Sequence, residues 1–158
     1  MTGDYENELS NLRRLFDVAA MPDYEPESRC ATTIGAKDRY VGKRFDEITR
    51  DDFVKFLGDL EDLSASEMAH LLPMIVYLSL KNVGDDHVMS SLEVLDYFGH
   101  EQDARLEIYR TLKIISNPER KDALLDALGV LIEAYARRDQ TGNTLAPLSR
   151  MKQYIFNN

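Results

Sequence analysis

Three histidines, one cysteine and 28 acidic residues are the groups with which this 158-residue chain can do chemistry. Glu67 and His70 stand three apart, which on a helix puts a carboxylate and an imidazole on one face, the spacing used by di-iron carboxylate bundles. Such a centre needs that pair twice, together with two further glutamates, and here the pair occurs once. Asp85, Asp86 and His87 form a second local cluster, and His100 follows Gly99. A helical metalloprotein would have to bring His70, His87 and His100 together with carboxylates. Each of these residues also has a simpler role. Glu67 completes a capping box begun by Ser64, Asp85 or Asp86 starts a helix, and His100 sits in an exposed loop. No metal site and no cofactor is therefore expected.

Nucleophilic catalysis finds equally little support. Cys30 has no base near it in sequence, and no glycine-flanked nucleophile elbow occurs. Neither of the glycine-rich phosphate-binding patterns, Gly-x-x-x-x-Gly-Lys or Gly-x-Gly-x-x-Gly, is present. No catalytic residue is assigned, and the chain is expected not to be an enzyme. A lone cysteine cannot close an intramolecular bridge, so the chain does not call for an oxidising compartment.

The distribution of charge says more than any motif. The chain carries a net charge of -9 and has a pI near 4.8, which makes free nucleic acid a poor partner, since phosphate binding needs a local excess of cations. Residues 29 to 50 hold Arg29, Lys37, Arg39, Lys43, Arg44 and Arg50 against Asp38, Asp46 and Glu47, a local excess of +3. The neighbouring aromatics in Arg39-Tyr40 and Lys43-Arg44-Phe45 suggest a nucleic-acid strip, but on so acidic a chain pairing with its own carboxylates is the better reading. Residues 51 to 103 reverse the sign, with twelve acids against Lys55 and Lys81 for a net of -10. Packed side by side, the helices of this stretch would present an acidic surface that steers a basic partner inward. A solvated face kept for solubility, with several acids complementing helix N-termini, is the plainer alternative. The acids placed on helix faces or turns, and so expected to touch a partner, are Asp59, Glu61, Asp62, Asp85, Asp86, Glu93 and Asp96.

The elements that would position these residues are helical. With 44% apolar residues and this length, residues 1–158 are expected to fold as one domain with a sizeable core. Tyr5, Leu9, Leu12, Phe16 and Ala19 fall at spacings of three and four and predict a first helix over about 4–20. Pro22 and Pro26 mark a loop, and Thr32, Thr33, Ile34 and Val41 around Gly35 suggest a short hairpin or an ordered loop. Helices are then expected over about 49–63, with Phe53, Phe56, Leu57 and Leu60 on the apolar side, and from Ser64 onward. The latter buries Met68, Leu71, Leu72, Ile75, Val76 and Leu78 and is kinked or split by Pro73. Further helices follow over 85–99 and 104–115. Ser116-Asn117-Pro118-Glu119 starts the next, with Ser116 as cap and Leu124, Leu128, Leu131 and Tyr135 inward to about Arg138; Leu145, Leu148, Met151 and Ile155 form a last short one. The fold class expected is all-α: a single-domain bundle of six or seven helices with a short irregular or β-hairpin segment near residues 31–48. The N-terminal stretch is acidic without an apolar core, and the run from Leu71 to Leu80 falls short of the roughly 20 residues that a span needs. No signal peptide, no membrane helix and a cytoplasmic location are expected.

Gly42-Lys43-Arg44-Phe45-Asp46-Glu47-Ile48, Leu63-Ser64 with Glu67, Leu71-Leu72-Pro73 and the later Asn117-Pro118-Glu119-Arg120 together resemble a group of small, acidic, mostly helical bacterial proteins. Phe45 stands where that group often has Trp. The resemblance spans about Phe16 to Tyr135, carries no catalytic residues and implies a non-enzymatic bacterial domain similar to immunity proteins that neutralise a cognate toxin. The expected function is therefore an immunity protein of bacterial competition, acting against a basic toxin domain such as a nuclease delivered by contact-dependent growth inhibition. It would work by protein–protein occlusion, without direct nucleic-acid or membrane contact. A phage-type DNA mimic would use the same acidic surface with its charges arrayed at phosphate-like spacing.

Overall fold

The sequence runs its apolar residues at helical spacing, and the computed structural model, which describes residues 5–16, 47, 49, 65–83, 117–137 and 145–157, is helical throughout its regular parts. Helix α1 (Glu6–Phe16) buries Leu9, Leu12 and Phe16 on one side. Its charges follow the helix dipole, with Glu6 and Glu8 in the first turn and Arg13 and Arg14 in the last. Tyr5 opens it, its carbonyl accepting from the Leu9 amide at 2.9 Å.

Helix α2 (Ala65–Lys81) runs unbroken through Pro73. Of the kink or split expected at Pro73, the split is not there. An interior proline removes one ladder hydrogen bond and crowds the preceding turn, at about 3 kcal/mol. Burial outweighs that cost, because every residue from Leu72 to Leu80 is buried, and each large apolar side chain taken out of water contributes roughly 1.5–3 kcal/mol. Ser79 is the polar member of this stretch, and its hydroxyl donates to the Ile75 carbonyl at 2.7 Å, which satisfies it without a partner helix. Asn82 closes the helix by donating to the Leu78 carbonyl twice, from its backbone amide at 3.0 Å and from Nδ2 at 2.8 Å.

Helix α3 (Pro118–Ala136) is capped by Asn117, whose extended backbone (φ -72°, ψ 171°) aims Oδ1 at the Arg120 amide, 2.9 Å away. Ser116 was the expected cap. With Asn117 in that place Pro118 falls at the first helical position, where its missing N–H breaks no bond. Ala123, Leu124, Ala127, Leu128, Leu131, Ala134 and Tyr135 form the buried face. Helix α4 (Leu145–Asn157) buries Leu148, Met151 and Ile155.

Helix α3 is the hub, packing against α1, α2 and α4, while α1 also meets α2. The alanines among its buried leucines let neighbours approach, and at Gly129 the approach is close enough that a Cβ would stand 2.9 Å from the Lys152 ammonium of α4.

The expected bundle of six or seven helices with a short irregular or β-hairpin segment is corrected by this structure: among the described residues there are four helices and no strand. The expectation counted every periodic apolar stretch as a helix, and four of those stretches form helices among the described residues. The stretches at 49–63 (apart from the exposed Thr49), 85–99 and 104–115 lie outside the described residues, as does the irregular or hairpin segment near 31–48 apart from the exposed Glu47.

Candidate functional site

The seven carboxylates expected to face a partner, Asp59, Glu61, Asp62, Asp85, Asp86, Glu93 and Asp96, all lie outside the described residues. So do Cys30, His87 and His100, while His70 is on the backbone of α2 with no side chain described. Among the described residues there is no group of three or more His, Cys, Asp or Glu that could hold a metal ion.

The structure does settle how the charge is partitioned. Glu6, Glu8, Glu67, Glu119, Asp122, Asp126 and Glu133 are matched one for one in the four helices by Arg13, Arg14, Lys81, Arg120, Lys121, Arg150 and Lys152. The four described helices are thus neutral together, and the net charge of -9 is carried by the residues outside them. Within residues 51–103, α2 contributes Glu67 and Lys81, which cancel, so the surplus divides into two blocks. Asp51, Asp52, Asp59, Glu61 and Asp62 against Lys55 lead into α2, and Asp85, Asp86, Glu93, Asp96, Glu101 and Asp103 follow it. A 17-residue helix rising 1.5 Å per residue separates the points where these blocks join the framework by about 25 Å.

Four of the seven cations in these helices make contacts from one helix to another. Arg14 pairs with Glu119 at 2.8 Å across the contact of α1 with α3, with both side chains more than half exposed, so the pair stabilises by no more than about 1 kcal/mol. Arg120 from α3 lies over the Phe16 ring of α1, 5.5 Å from its centroid, and Arg13 from α1 lies over Tyr77 of α2 at 5.9 Å. Lys121 donates to the Phe156 carbonyl at 3.2 Å, serving one of the orphan acceptors at the end of α4 with a positive charge where the helix dipole favours it. Sequence reasoning did not anticipate these contacts. Arg14 and Glu119 stand 105 residues apart, and nothing local to either marks the other.

The described helices are braced against one another by arginines, through the Arg14–Glu119 pair and the stacking of Arg13 and Arg120 over aromatic rings. Comparison with family models, with curated proteins and with solved structures gave no match for the chain. Among the described residues no helix is long and apolar enough to cross a membrane.

Proposed function

We propose that the chain is an immunity protein that binds a basic bacterial toxin domain and occludes its active or substrate-binding surface in the cytoplasm. The observation that carries this reading is the concentration of a net -10 into residues 51–103 of a chain whose four described helices are neutral together. Carboxylates at Asp59, Glu61, Asp62, Asp85, Asp86, Glu93 and Asp96 would pair with the lysines and arginines that a nuclease uses to hold phosphate. About 800 Å² on each partner suffices for such a complex. Charge pairs would set the rate of capture and the choice of partner, while buried apolar and aromatic contacts would carry most of the affinity.

The test is affinity purification from the native host at two salt concentrations, with mass spectrometry of the retained proteins. One stoichiometric basic toxin domain, lost or weakened when Asp85 and Asp86 are changed to Asn, is the expected result. Recovery of many DNA-binding proteins would instead favour a DNA mimic, and retention of no protein would count against the reading.

A further inference from the structure

We draw no further inference here: the strongest candidate, the exposed Phe156 beside the Lys121 ammonium at the outer end of helix α4, is a single apolar side chain, and nothing in the structure shows what covers it.

Discussion

Gly129 shows how a single residue can be held at a compromise. In a helix interior glycine costs about 1 kcal/mol relative to alanine. The position is half-buried against α4, where an added Cβ would meet the Lys152 Nζ at 2.9 Å. That atom is the free end of a flexible side chain, so it moves aside at little cost. Gly129→Ala is therefore expected to stabilise the protein by about 0.5–1 kcal/mol, read as a rise of a few degrees in the midpoint of thermal unfolding. A lower midpoint would mean that Lys152 is held where it is. Leu128, next to it and fully buried, gives the opposite case: Leu128→Ala should cost about 2–5 kcal/mol in a denaturant titration, because the space it leaves is walled by packed helices.

At the scale of the element, helix α3 was legible because its first turn is written in hard chemistry. Pro118 fixes a dihedral angle and removes a donor, which only the start of a helix accepts without loss. The identity of the cap was harder, since Ser116 and Asn117 are both good capping residues and differ by one register position. The position of proline was the available clue, because it favours the residue after the cap. Asn117→Ala is expected to destabilise the fold by about 1 kcal/mol and Ser116→Ala by much less, as measured by equilibrium unfolding of the two variants. Equal losses would show that the two residues share the role. At Pro73 in α2 the expected alternative of a split fails for a different reason. A proline rule describes an isolated helix, whereas this one is enclosed for nine residues, and burial decides the outcome.

For the whole molecule, what was legible was the character of the framework and the sign of the charge. The apolar faces of α1, α3 and α4 follow from spacing, as Leu9, Leu12 and Phe16, or Leu124, Leu128 and Leu131, show. The contacts between helices do not, because Arg120 finds Phe16, and Lys121 the Phe156 carbonyl, only once the chain has folded. The candidate site rests on charge alone, and charge identifies carboxylates without saying which of them share a face. The partition of charge nonetheless makes a prediction at this scale. If one partner spans both acidic blocks, changing Asp59, Glu61 and Asp62 to their amides should slow its association, as should changing Asp85 and Asp86. Each effect should reach about tenfold or more at low ionic strength and shrink as salt screens it. With attachment points about 25 Å apart, the two losses should multiply in rate. Association measured for both variants and their combination checks this, and an effect from one block alone would confine the interface to one end of α2.

The enclosure of α2 also bears on how the molecule breathes. From Leu72 to Leu80 the helix has no face toward solvent, so it has no direction in which to open by itself. Its amides from Met74 to Leu80 should exchange hydrogen for deuterium only when the entire fold comes apart, with a protection that equals the free energy of global unfolding. The first turn of α1, half of it facing water, should exchange far sooner. The last part of the protein to let in water would then be a helix with a proline at its middle.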